Sequence, residues 1–205
     1  MKKTVISIIL SATIMYAAFG QERRYGIESA IIKKTLVAKM PAMSIEQSSS
    51  MIQYIADYGI KESSEMFMEI QGQSFSVFSM IKDGYIYSAN INLKQGSKIN
   101  TSNMDNYSTV NYLNLTDDIK KQYQIQANGV EQVLGKPCNR YEMSFTTQGQ
   151  DVTATVWVWQ GIELKSKISN GSTITEFEAT EIQEGAAIAN EKFELPAGID
   201  FVEAK

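Results

Sequence analysis

The sequence predicts a mainly β protein (α+β): a curved antiparallel sheet forming a half-open or incomplete barrel, with one or two short helices. Three observations predict it. Short runs of β-branched and aromatic residues recur between turn signals at intervals of roughly 8–12 residues. Asp83-Gly84, Gln160-Gly161 and Asn170-Gly171 stand between such runs, where hairpin turns belong. The runs add up to about eight to ten strands, and an antiparallel sheet of that size curls rather than lying flat.

The chain opens with "MKKTVISIILSATIMYAAFGQ". Lys2 and Lys3 precede an apolar run, Val5–Phe19, and small residues stand at Ala18 and Gly20, positions −3 and −1 of the expected cleavage site. This is the layout of a secretory signal peptide, with cleavage expected after Gly20. The run is short and dotted with Ser and Thr, so no stable transmembrane anchor is expected. Residues 1–20 are thus read as signal peptide and 21–205 as one domain, soluble in the periplasm of a Gram-negative envelope.

Next come the elements in order. "YGIESAIIKKTL" (Tyr25–Leu36) reads as the first strand, and "KMPAMSIEQSS" (Lys39–Ser49) as a short helix or loop. "SMIQYIADYG" and "IKESSEMFMEI" read as two strands parted by Gly59. "IKDGYIYSANI" is a hairpin turning at Asp83-Gly84, which sets Met80 opposite Tyr87 and Phe78 opposite Ala89. The polar stretch from Gln95 to Asn106 reads as a loop. "LTDDIKKQYQ" (Leu115–Gln124) reads as a short helix, N-capped by Thr116, with Asp117 and Asp118 at its positive end.

The C-terminal third carries the candidate site. An Asn170-Gly171 turn pairs Lys167 with Ile174, Lys165 with Glu176 and Leu164 with Phe177. A Gln160-Gly161 turn pairs Trp159 with Ile162 and Trp157 with Leu164. A three-residue loop, Thr147-Gln148-Gly149, keeps the preceding strand in phase, whereas a two-residue turn would flip it. One face then carries Tyr141, Met143, Phe145, Trp157, Trp159, Ile162, Leu164 and Phe177, the candidate ligand-lining residues. The other face mixes Val156 and Val158 with Glu142, Lys165 and Glu176. Such an aromatic stripe serves either as plain core or as the lining of a ligand cavity.

The segment "VWVWQGIELKSKISNGSTITEFEATEIQEGAAIANEKFELPAGIDF" (Val156–Phe201) resembles the C-terminal signature of periplasmic lipoprotein carriers of the LolA/LolB type. The matching residues are Trp157, Trp159, Gly161, Leu164, Phe193, Pro196 and Gly198. "GKPCNRYEMS" followed by "VWVWQGIELK" is similar to a secreted bacterial family of unknown function, domain of unknown function 4412. The carrier resemblance implies an unclosed barrel with a greasy cavity for acyl chains. The sequence departs from it in lacking an evident long lid helix.

Composition narrows the function classes. Without residues 1–20 the chain holds 17 basic and 23 acidic residues, a balance that excludes a phosphate-binding nucleic-acid partner. There is no His, so Ser-His-Asp triads, Cys-His pairs and His-based zinc sites are all impossible. The one Cys, Cys138, has no partner for an internal disulfide and reads as a small core residue. Neither a cofactor nor a metal ligand set is implied. Three functions are left: a non-enzymatic envelope protein binding a lipid, lipoprotein acyl chains or another apolar ligand; an envelope interaction or structural module docking another envelope protein; and a hydrolase built on an unrecognised carboxylate pair.

Overall fold

Asp83 and Gly84 adopt φ of 50° and 77°, the two left-handed residues that a two-residue hairpin turn of type I′ requires. The strands they join pair Met80 with Tyr87 and Phe78 with Ala89, as the sequence predicts. This hairpin belongs to a computed structural model that describes residues 23–70, 72–100, 110–147 and 149–204. The expected signal peptide lies outside the described residues.

Twelve strands are present among the described residues: β1 (Ala30–Met40), β2 (Ile45–Ala56), β3 (Lys61–Ile70), β4 (Gln73–Lys82), β5 (Tyr85–Asn90), β6 (Gln95–Asn100), β7 (Gln126–Val133), β8 (Lys136–Thr147), β9 (Gln150–Trp159), β10 (Ile162–Ser169), β11 (Ile174–Glu184) and β12 (Phe201–Glu203). They form one sheet in the order β12-β6-β5-β4-β3-β2-β1-β11-β10-β9-β8-β7. The end strands do not pair, so the sheet is an open, unclosed half-barrel. Every pairing is antiparallel except β12 on β6, which is parallel. The single α-helix described, α1 (Asp117–Gln122), starts as predicted: the Thr116 hydroxyl accepts from the Ile119 amide at 3.3 Å.

Two expectations for the N-terminal half are corrected. Gln95–Asn100 is strand β6 rather than loop, because its amides pair with β5 and its edge with β12. The part of the expected loop beyond Asn100 lies outside the described residues. Lys39–Ser49 contains only a 3-10 turn at Pro41–Met43, with β1 and β2 running up to it from either side.

The register of the C-terminal meander departs from expectation at three places. Thr147 pairs with Gln150, leaving two residues for the turn instead of three. Gln148 of the expected three-residue loop lies outside the described residues. The cross-strand bond from Thr146 Oγ1 to Asp151 Oδ1, 2.8 Å, belongs to this tighter register. Ser169 pairs with Ile174, so Asn170–Thr173 is a four-residue loop. Asn170 closes it, its Oδ1 accepting from the Thr173 amide at 2.9 Å. Lys165 therefore faces Glu178 instead of Glu176, a slip of two residues that preserves the face. Finally, Ile162 pairs with Trp159 as expected, but a bulge between Glu163 and Lys165 sets Trp157 opposite Lys165 instead of Leu164.

Candidate ligand-binding face

Strand β1 buries alternate residues, Ala30, Ile32, Lys34, Leu36, Ala38 and Met40, on one face of the sheet, here the inner face. The registers extend that face in both directions. Leu36 stands beside Phe177 on one side and Ser49 on the other. The same rung continues through Ser166, Val156 and Tyr141 in one direction, and through Met68 and Phe75 in the other. Eight strands thus contribute to one transverse row. Five methionines, Met40, Met51, Met66, Met68 and Met143, are buried on this face. Their unbranched, polarisable side chains conform to irregular apolar shapes.

The predicted site residues divide between the faces. Tyr141, Met143 and Phe145 pair with Val156, Ala154 and Val152, and Phe177 pairs with Ser166 and Leu36. Leu164 shares the side of Ser166 by strand alternation. These five line the inner face. Trp157 pairs with Arg140 and Lys165 and faces the other way, and Trp159 follows it two residues on. The expectation that both tryptophans share a face with Tyr141 is therefore corrected: the two-residue turn after Thr147 changes the parity of β9 by one. The inward face of β9 is instead Val152, Ala154, Val156 and Val158, all buried. Trp157 donates from Nε1 to Glu131 at 2.8 Å, and the Arg140 and Lys165 cations lie 5.7 and 5.5 Å from its ring. Trp159 and its partner Ile162 are buried in one cluster with Tyr25, Val133 and Cys138 and with Leu164, Ala30, Ile32 and Ile55 of the inner face. The tryptophan pair is thus a packing and cation-π feature.

Polar residues on the inner face were not foreseen. Lys34 is 3% exposed, and its Nζ donates to the Glu163 carbonyl at 2.8 Å. Burial lowers its pKa, against the attraction of Glu163 and Glu62. The bulge in β10 turns Glu163 towards Lys34 and Tyr112. Burial pushes its carboxyl up to about 7, opposed by the Lys34 charge and the Tyr112 hydrogen bond. Burial likewise raises the Tyr112 phenol, whose ring stacks on Tyr141 with centroids 5.5 Å apart. A second cluster centres on Glu62, which is paired with Arg24 and accepts from Tyr25 Oη at 2.9 Å and Gln53 Nε2 at 2.6 Å. Lys34 had a legible signal, since it occupies the apolar phase of Ile32 and Leu36. Glu163 had none, because a bulge is a tertiary event. Cys138 is fully buried, and burial raises its thiol pKa.

An open surface groove of about 630 Å³ lies on the opposite face, where Phe67 stands among Ser48, Ser50, Ser74, Ser76 and Asn92. None of the predicted site residues lines it. No helix among the described residues is long and apolar enough to cross a membrane.

No protein-family model and no curated protein matches the chain. The finer resemblance, to the secreted family of unknown function, is accordingly not confirmed. Among solved structures, the chain is similar to an uncharacterised conserved protein from Thermus thermophilus, at 8% identity and a TM-score of 0.51, over 85% of this chain and 90% of that one. It is also similar to a putative outer membrane lipoprotein-sorting protein domain from Vibrio parahaemolyticus, at 11% identity and a TM-score of 0.40, over 92% and 95% of the two chains. A chain of the MucA/MucB complex of Pseudomonas aeruginosa matches at 14% identity and a TM-score of 0.46 over 82% of this chain. The present chain spans only about half, 56%, of that one. At such identities the likeness is one of fold, and the Thermus protein carries it.

Proposed function

We propose that the protein is a non-enzymatic component of the bacterial envelope that binds a lipid, lipoprotein acyl chains or another apolar ligand on the inner face of the half-barrel. The observation that carries this reading is the inner face itself, one row of which crosses eight strands from β8 to β4, with five methionines buried on it. Met and Leu rungs accept a flexible hydrocarbon chain at low cost because they repack around it. The reading takes residues 1–20 as a signal peptide, residues 21–205 as one LolA-like domain, and the periplasm as its location. Of the predicted lining, Tyr141, Met143, Phe145, Leu164 and Phe177 lie on this face, Tyr141 and Phe145 beneath Tyr112 and Tyr123, while Trp157 lies on the other and Trp159 and Ile162 pack at the strand ends.

Native mass spectrometry of the protein purified from its own envelope tests it. A lipid adduct is expected. A protein that carries no lipid, and that fails to displace a polarity-sensitive dye with any acyl compound, would reject it. One observation favours a second reading, docking to another envelope protein. Strand β7 forms an edge of the sheet, and Gln126–Gln132 on it are exposed, with Val130 62% accessible. Cross-linking from position 130 in envelope extracts, with no lipid bound, would select that alternative.

A further inference from the structure

One inner rung is polar across five adjacent strands. Beside Ile32, the registers set Gln53 opposite Ser64, Ser64 opposite Ser79, Ser79 opposite Ser88 and Ser88 opposite Ser97. Five adjacent strands therefore present one amide and four hydroxyls in a line. At the usual strand separation the line spans about 19 Å. The flanking rungs are mixed: Ile55, Glu62, Ile81, Ile86 and Ile99 on one side, Met51, Met66, Val77, Asn90 and Gln95 on the other. Ser64 is buried, whereas Ser79, Ser88 and Ser97 are half-buried, so the line leads from the core towards the more open strands β4–β6.

Gln53 heads the line and gives it a chemical direction. It is 1% exposed. Its Nε2 donates to Glu62 Oε1 at 2.6 Å, which fixes the amide orientation, because a carboxylate that accepts from Arg24 and Tyr25 can only accept. Its Oε1 then points away from Glu62 and has no hydrogen-bond partner, although it is fully buried. A buried acceptor in that state costs stability until a donor reaches it. Among the described residues, the cations directed at this face are Lys34 and Arg24. Lys34 is held on the Glu163 carbonyl and Arg24 on Glu62. Neither is left to offset an anionic ligand.

We propose that the Gln53–Ser97 rung is the head-group site of the apolar ligand, and that it selects an uncharged, hydroxyl-bearing head such as that of a monoacylglycerol or an acylated sugar. This rests on the reading of the inner face as an acyl-binding surface. A ligand hydroxyl supplies the proton that Gln53 Oε1 lacks, and the serine hydroxyls donate to its ester and hydroxyl oxygens. A carboxylate brings no proton to Oε1, and a phosphate brings charge beside Glu62 without a free cation to meet it.

Displacement of a polarity-sensitive dye from the purified chain tests the proposal, using three competitors of one acyl length: the monoacylglycerol, the free fatty acid and the lysophosphatidic acid. The monoacylglycerol is expected to bind at least tenfold more tightly than either anion. Ser88→Ala and Gln53→Leu are expected to abolish that preference while all three still displace the dye; Ser88→Ala, at a half-buried position, guards against misfolding of the Gln53 variant. Equal affinities in the wild type would overturn the head-group site and leave the acyl-binding reading intact. A preference that survives both substitutions in folded protein would also overturn it. Failure of all three compounds to bind would overturn both.

Discussion

The two halves of the sheet, β1–β6 and β7–β11, are covered on opposite faces. In the first half the C-terminal segment crosses the outer face. Leu195, Ile199 and Phe201 pack on Phe78, Met80 and Ala89, and Lys192 pairs with Glu65 at 2.7 Å. Gly96 makes this approach feasible, since a Cβ there would lie 2.7 Å from the Phe201 ring. In the second half the cover lies on the inner face. Tyr112 stacks on Tyr141, Tyr123 meets Phe145 edge-on at 5.2 Å, and Ile125 packs beside them. The outer face there is left to Trp157 and its ring of charges. A strand with both faces covered reads as core, so the difference tells where a ligand has room. It is the inner face of β4–β6, where the serines are half-buried, and not the tryptophan strand.

The strongest way to break this comparison is at the rung both halves share. Leu36→Ala removes a side chain that is 1% exposed between Phe177 and Ser49. It should cost about 2–5 kcal/mol, read as a lowered denaturant midpoint in one cooperative transition. Two separate transitions would show that the halves fold independently.

The inner cover of the second half has a pH signature. An unfolded Glu163 loses its proton near 4.5, whereas the folded carboxyl keeps it to about 7. The raised folded value means that this group favours the folded state fully below pH 4.5 and loses that advantage as pH rises through about 7. The span is worth roughly 3 kcal/mol. Melting temperature should therefore fall between pH 4.5 and 7 in the wild type and stay flatter in Glu163→Gln. Parallel profiles for the two proteins would contradict the enclosure of Glu163.

The outer cover of the first half is tested by Gly96→Val, which places a branched side chain against Phe201. The expected cost is about 1–3 kcal/mol. Proteolysis within 185–204 should accelerate while tryptophan emission stays unchanged, because both tryptophans lie in the other half. A shifted emission would mean that the two covers are coupled. The smallest effect is expected at the uncovered outer face. Trp157→Phe keeps an aromatic ring but loses the Nε1 bond to Glu131, so denaturant titration should show a loss of about 0.5–1.5 kcal/mol. Unchanged dye displacement in that variant would separate the tryptophans from ligand binding, whereas its loss would return them to the site.

Much of the local chemistry was legible. The strand-rich class, the Asp83-Gly84 hairpin with its register, the Gln160-Gly161 turn and the Thr116 cap all follow from residues acting on near neighbours. Face assignment was not legible. A strand repeats every two residues, so one residue more or less in the turn after Thr147 moves Trp157 and Trp159 from one side to the other. Composition cannot choose between those turns. The choice falls to the whole of β9, where burying Val152, Ala154, Val156 and Val158 against Met143 and Phe145 leaves Trp157 outward. The serine rung is of the same kind. Four scattered serines and a glutamine mean nothing along the chain, and only the pairing of five strands brings them into one line. The sequence by itself determined the strand-rich class and the tight turns at Asp83-Gly84 and Gln160-Gly161, but it hid strand β6 in a polar stretch. The tertiary structure decided which side each residue faces and which residues meet, because those depend on register summed across the sheet.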